Sequence, residues 1–211
     1  MKSRRIVMSA IGVLITAVSI GAFKFASFGV DPFQSFMCGV DTLISMDFGT
    51  LYVIINTLLL VFSFSFDRHY IGIATFINLF LLGYVVAFSQ NMLEILFPSP
   101  SLPVRAVLFV SGFLLLCLGS SLYMTADLGV STYDAVALIL SRKWKLGKFQ
   151  FVRIATDAIC IVLGITLFCF GGGSIPEVTS FVGIGTILTA FCMGPLINFF
   201  NRRMYAFFPE I

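Results

Sequence analysis

The chain has 211 residues, of which 59% are hydrophobic and 11% charged, with a formal net charge of +3. Soluble domains carry about 25% charged residues, and a chain this short cannot hide so much apolar surface in its own interior. A mean hydropathy of +1.04 therefore excludes a water-soluble globule and makes the lipid bilayer the first partner, while the one short basic run, "RKWKLGK" at 142–148, gives nucleic-acid binding no support.

The chain opens "MKSRRIVMSAIGVLITAVSIGAFKFA". Its apolar stretch is longer than the roughly 7–15 residues of a signal-peptide core, and no small-x-small cleavage site follows. A retained first span over 6–26 is predicted. "FGVDPFQSF" at 28–36 then interrupts the apolar run. Asp31 is suited to cap a new helix, and Pro32 suits the first helical position, where its missing N–H costs nothing. Phe33, Phe36, Met37, Val40, Leu43 and Ile44 follow at helical spacing, with Gln34, Ser35, Cys38, Asp41 and Thr42 on the other face. Such a helix is too short to span, since crossing takes about 20 residues. It either lies along the interface or dips back as a re-entrant segment.

Further spans are predicted over 49–66, 70–92 and 104–125. A second interruption, "LGVSTYDAV", follows at 128–136. Here Ser131 and Asp134 form an S-x-x-D helix start, and Tyr133, Val136, Ala137 and Leu140 repeat the short amphipathic pattern. The last two spans are predicted over 149–170 and 178–200, the final one kinked at Pro195.

The two interruptions belong to a longer repeat. With a shift of 100, Gly12 matches Gly112, Ala26 matches Ala126, and Gly29-Val30 matches Gly129-Val130. With a shift of 111, Gly72, Ile73, Thr75, Phe80 and Gly83 match Gly183, Ile184, Thr186, Phe191 and Gly194. Each copy holds three spans, an odd number, so the second enters the bilayer from the opposite side. The expected fold is a single all-α transmembrane domain over 1–211: a six-span bundle of two inverted repeats, about 6–93 and 104–200, each with a short amphipathic or re-entrant helix after its first span. Several transporter folds are built this way, with a site at the repeat interface.

Basic residues at the N-terminus, at Arg68, in 142–148 and at Arg202-Arg203 fall on one side if both termini share it. That side is the cytoplasmic one, which also places Asp127 and Asp134 there. Asp157, about 12 Å into the fifth span at helical rise, is the residue to watch, because a carboxylate at that depth is costly and marks function. Arg153 is one turn earlier and can pair with it. That pair either pins the span against its neighbours or forms part of a solute or ion site. Asn56 and Thr57 are its repeat mates, and Asn78 can join them. Gly72, Gly83, Gly183, Gly185 and Gly194, with Pro195, are expected at close helix contacts or hinges. The five cysteines form no C-x-x-C pair and read as buried hydrophobes, and with one histidine, His69, no metal site, cofactor or catalytic constellation is predicted.

The paired Gly-Val-Asp-Pro and Gly-Val-Ser-Thr-Tyr-Asp words, with "VGIGTILTAFCMGPLINFF" at 182–200, resemble the YczE/YyaS/YitT group of bacterial integral membrane proteins. Thr132 stands where that group more often has proline. The resemblance implies a multi-pass bacterial plasma-membrane protein, with small-molecule export among the suggested roles. The functional expectation is a small-solute transporter or exporter using alternating access. The alternative is a non-transporting membrane regulator or scaffold for a partner protein, and the partners expected are lipid, a small-molecule substrate, and a second copy of the chain or another membrane protein.

Overall fold

The computed structural model describes residues 2–44 and 46–207. Among them there is no strand, and six helices are long and apolar enough to cross a membrane. The helices are α1 (Lys2–Ala26), α2 (Pro32–Ile44), α3 (Phe48–Phe66), α4 (Ile73–Leu96), α5 (Leu102–Ala126), α6 (Thr132–Leu138), α7 (Phe149–Phe170), α8 (Ile175–Val178) and α9 (Ile184–Phe207). A 3₁₀ turn, Arg68–Tyr70, precedes α4, and a π turn, Ile139–Lys143, prolongs α6. Leu58, Phe88 and Val162 are 64%, 65% and 63% exposed on the outer surface. Apolar surface on that scale needs lipid around it, and the chain is a multi-pass membrane protein.

The helix starts follow local chemistry. Asp31 Oδ1 accepts from the Gln34 amide at 3.2 Å, and Asp47 Oδ2 from the Thr50 amide at 3.0 Å. Ser131 Oγ accepts from the Asp134 amide at 3.1 Å. Each satisfies a backbone donor that the first helical turn leaves free.

Helices α1 and α5 form the most extensive helix–helix contact. Gly12 lies against Gly119, and Ser19 against Gly112, so the two run antiparallel. A Cβ on either Gly12 or Gly119 would sit 2.8 Å from the other's carbonyl oxygen. The short helices pack on spans from the other half of the sequence. Ser35 and Gly39 of α2 abut Gly164 of α7, and Thr42 abuts Gly171. Helix α6 lies along α3, from Thr132 beside Asn56 to Trp144, beyond the π turn, beside Phe62 and Phe66. Each short helix thus begins alongside the middle of a span.

Two bends make this possible. Gly29 and Gly129 have φ of +103° and +101°, in the region that favours glycine. The bend after α1 docks on the start of α9: the Val30 amide donates to Phe181 O at 3.0 Å, and the Gly185 amide to Phe28 O at 2.8 Å. The bend after α5 docks likewise on the start of α4, with Val130 donating to Tyr70 O and Ala74 to Leu128 O, both at 3.0 Å. Arg105 and Arg5 close the arrangement, donating through Nε to Ala26 O and Ala126 O, each at 2.7 Å. These are helix-end carbonyls that would otherwise lack partners.

The structure moves several span boundaries: α1 starts at Lys2 rather than 6, α4 ends at Leu96 rather than 92, and α9 ends at Phe207 rather than 200. Helices α4 and α9 start at Ile73 and Ile184, later than the predicted 70 and 178, because the preceding backbone is spent on the docked bends. Helix α9 continues through Pro195, and a Cβ on Gly194 would meet nothing closer than 3.9 Å, so Gly194 is not at a tight contact. Gly72, Gly83, Gly183 and Gly185 are. Cys169 and Cys192 are exposed rather than buried, and all five cysteines are free.

Replacing Gly12 with Leu drives a side chain into the α5 backbone. The expected loss is about 1–3 kcal/mol of folding stability, read by unfolding of the purified protein in micelles; a variant as stable as the parent would contradict the α1–α5 contact.

Candidate functional site

The middle of the bundle holds a buried ionic cluster. On α7, Arg153 and Asp157 are one helical turn apart, and Arg153 Nε donates to Asp157 Oδ1 at 3.2 Å. The same guanidinium donates through Nη1 to Asp134 Oδ1 on α6. The other oxygen of Asp134 accepts from Tyr123 Oη of α5 and from Ser131 Oγ, the latter at 2.6 Å. Tyr133 Oη donates to Asp157 Oδ1 at 2.5 Å, and its ring centroid lies 4.4 Å from the guanidinium carbon. The side chains of Arg153, Asp134 and Asp157 are 8%, 3% and 1% exposed. A charge so far from water is tolerated only when paired and hydrogen-bonded. The shared guanidinium and two tyrosine hydroxyls do that here.

A neutral network adjoins it from the first half of the chain. Asn56 Nδ2 donates to Tyr52 O at 2.8 Å, Thr132 Oγ1 donates to Asn56 Oδ1, and Tyr52 Oη donates to Asn78 Oδ1 at 2.9 Å. It links α3, α4 and α6.

Helix α2 supplies the remaining wall. The Phe33 and Tyr133 rings stack with centroids 4.9 Å apart and planes 25° apart. Beside them lies a cavity of about 50 Å³, lined by residues of all six spans and both short helices, among them Asp31, Gln34, Tyr52, Ser120, Asp134 and Arg153. That volume has room for a few water-sized groups. Asp31 Oδ2, Gln34 Oε1 and Asp157 Oδ2 are buried without hydrogen-bond partners.

The structure therefore brings Arg153, Asp157, Asn56 and Asn78 into one central region. Thr57 is not there. It is on the exposed face of α3 and donates to Val53 O at 2.7 Å, because Asn56, its neighbour, takes the inward position and adjacent helix residues diverge by about 100°. Asp134 and Asp31 need correction too. The sequence reading placed Asp134 with the cytoplasmic loops and gave Asp31 as a helix cap, yet both are buried at the centre. Each sits at the first turn of a short helix that begins inside the bundle. Their capping pattern was visible in the sequence; their depth was not. Tyr123 and Tyr133 carried no signal separating them from other aromatic residues. Among the described residues no three His, Cys, Asp or Glu side chains converge as a metal site.

Known proteins similar to this chain include one described as a membrane protein. A model of a family of unknown function, DUF6198, matches residues 3–202. The chain is similar to the uncharacterized membrane protein YczE of Bacillus subtilis, at 25% identity over 89% of this chain and 81% of the relative. It is similar to the uncharacterized protein YyaS of the same organism, at 25% identity over 92% of this chain and 96% of the relative. An uncharacterized protein of Haemophilus influenzae is 26% identical over 90% and 82% of the two chains. No solved structure matches.

Replacing Arg153 with Met leaves two buried carboxylates facing one another without a cation. Stability should fall by about 3–5 kcal/mol, whereas Thr57→Val should stay within about 0.5 kcal/mol of the parent. Unfolding of both variants in the same micelle checks this, and equal stabilities would show that the cluster holds nothing together.

Proposed function

Because the chain belongs to the DUF6198 family, whose description assigns no activity, we propose a function from its own geometry: a small-solute transporter or exporter of the bacterial plasma membrane, working by alternating access. The observation that carries the proposal is the central cavity. It lies where the starts of α2 and α6 meet and is lined from both halves of the chain.

In this reading the halves, about 6–93 and 104–200, are inverted repeats, and α2 and α6 are their re-entrant helices. Three contacts support it. Phe33 stacks on Tyr133, its own mate under a shift of 100, and a residue touching its repeat mate lies beside the symmetry axis. Gly12 meets Gly119 while Ser19 meets Gly112, which is one contact written twice about a two-fold perpendicular to α1 and α5. The docked bends recur as well, Val30 on Phe181 and Val130 on Tyr70. With α1 and α5 crossing the bilayer, such an axis lies in its plane, as in transporters built from inverted repeats.

Alternating access then exchanges two equivalent ends. Arg105 ties the end of α1 to the start of α5, and Arg5 ties the end of α5 to the start of α1. Loosening one tie while the other holds opens the cavity to one side, and the reverse opens it to the other. The basic residues put both termini in the cytoplasm. We assign the buried charges to solute binding and packing rather than to catalysis, because Asp134 and Asp157 are engaged by one guanidinium and two tyrosines. The loop 142–148, the natural handle for a regulatory partner, is accounted for by anionic lipid. Trp144 packs edge-on to Phe62 and Phe66, as an interfacial anchor does.

Single cysteines in a background with the five native ones replaced test the reading without a known solute. Ser120→Cys, on the cavity wall, should react with impermeant thiol reagents applied from either side of the membrane, and Asp41→Cys and Lys145→Cys from opposite sides. Reactivity of position 120 from one side only, or of 41 and 145 from a common side, would end it.

A further inference from the structure

We propose that the central cavity binds a small ammonium-type cation, ammonium itself or a protonated primary amine, with Asp31 as its counter-ion and Gln34 as a second acceptor. This rests on reading the cavity as a solute site, and it names the class of solute.

The charges around the cavity do not balance. Three carboxyl groups, Asp31, Asp134 and Asp157, share one buried guanidinium, and Arg153 gives its contacts to Asp134 and Asp157. Asp31 makes no ion pair among the described residues; Lys24, near enough to feel its charge, lies instead over the Phe48 ring, 3.2 Å from the centroid. Asp31 is 9% exposed, its Oδ1 accepts only from the Gln34 amide at the helix start, and its Oδ2 has no partner. Gln34, 1% exposed and on the same wall, leaves Oε1 without a partner. A carboxylate removed from water without a cation is costly. A ligand bringing positive charge and N–H donors relieves that cost at the point where two acceptors are free.

The rest of the wall narrows the class. Ile20, Leu82, Leu116 and the ring of Phe33 alternate with neutral hydroxyls and an amide, Thr16, Tyr52, Ser120 and Asn78, so Asp31 brings the one carboxylate that no ion pair occupies. A calcium or magnesium ion would need six or more oxygen ligands with several carboxylates among them, and among the described residues the carboxylates do not converge for one. An ammonium group needs only a few acceptors, and aromatic rings favour it. The volume of about 50 Å³ admits ammonium or methylammonium, or the head of a longer amine. A carboxylate or phosphate solute would meet Asp31 with like charge.

The test is binding of radiolabelled methylammonium to the purified full-length protein in nanodiscs. Binding should saturate, compete with unlabelled methylammonium, and resist sodium chloride and sodium acetate at equal ionic strength. Asp31→Asn keeps a capping side chain and should weaken binding about 10–100-fold, the worth of a charge-assisted hydrogen bond. Gln34→Leu, checked for a monodisperse elution profile, should also weaken it, and exposed Glu94→Gln should not. Absence of saturable binding, equal competition by sodium, displacement by acetate, or full affinity in both Asp31→Asn and Gln34→Leu would overturn the proposal. Cysteine accessibility at position 120 is scored separately. Two-sided labelling without methylammonium binding leaves transport standing and removes the ammonium class. Saturable binding with one-sided labelling keeps the site and removes transport.

Discussion

A membrane interior offers no water to an unwound backbone, and every exposed amide or carbonyl there must find a partner within the protein. The rest of this structure depends on how the two glycine bends meet that constraint. Residues 28–30 and 128–130 leave helical geometry inside the bundle, and their polar groups are taken up by the backbone preceding α9 and α4. Thr75 and Thr186 add side-chain donors at equivalent places, bonding Tyr70 O at 3.3 Å and Phe181 O at 3.0 Å, and Thr75 also bonds Val130 O at 2.7 Å. Because these groups are bonded, α2 and α6 can begin inside the bundle, alongside α7 and α3.

That placement creates the polar centre. A helix starting inside the bundle carries its capping residues inward with it. Asp31 and Asp134 are ordinary first-turn acids by sequence, and the bends turn them into buried carboxylates. Asp134 is stabilised by the guanidinium of Arg153 and the hydroxyls of Tyr123 and Ser131. Asp31 receives one backbone amide and has an oxygen left over. Asp31 caps its helix while Asp134 leaves that work to Ser131, and the two carboxylates differ in how fully they are bonded.

The two halves are alike in framework and unlike in charge. Gly12, Gly29, Gly72 and Thr75 each have a counterpart in the second half that makes the matching contact or bend. Tyr123, Asp134, Arg153 and Asp157 correspond to Phe23, Gln34, Val53 and Thr57. Both halves keep the residues that let helices approach and chains bend, while the ionic cluster was built almost entirely in the second. The Phe33–Tyr133 stack stands where the two chemistries meet.

The linear chain determined what short-range physics controls. Apolar length set the number of crossing helices, glycine followed by a capping residue set the two interruptions, and the matched glycines and threonines recur at fixed shifts in the two halves. The Arg153–Asp157 pair was legible because residues four apart on a helix are neighbours whatever surrounds them. Tertiary structure alone decided that Thr57 faces outward while Asn56 turns in, that Asp134 reaches Arg153, and that Asp31 and Gln34 share a cavity with Tyr52, Ser120 and Tyr123. Those outcomes require helices far apart in sequence to take one mutual rotation and depth. Both are set by the sum of glycine contacts and docked bends, which no single stretch of the chain contains.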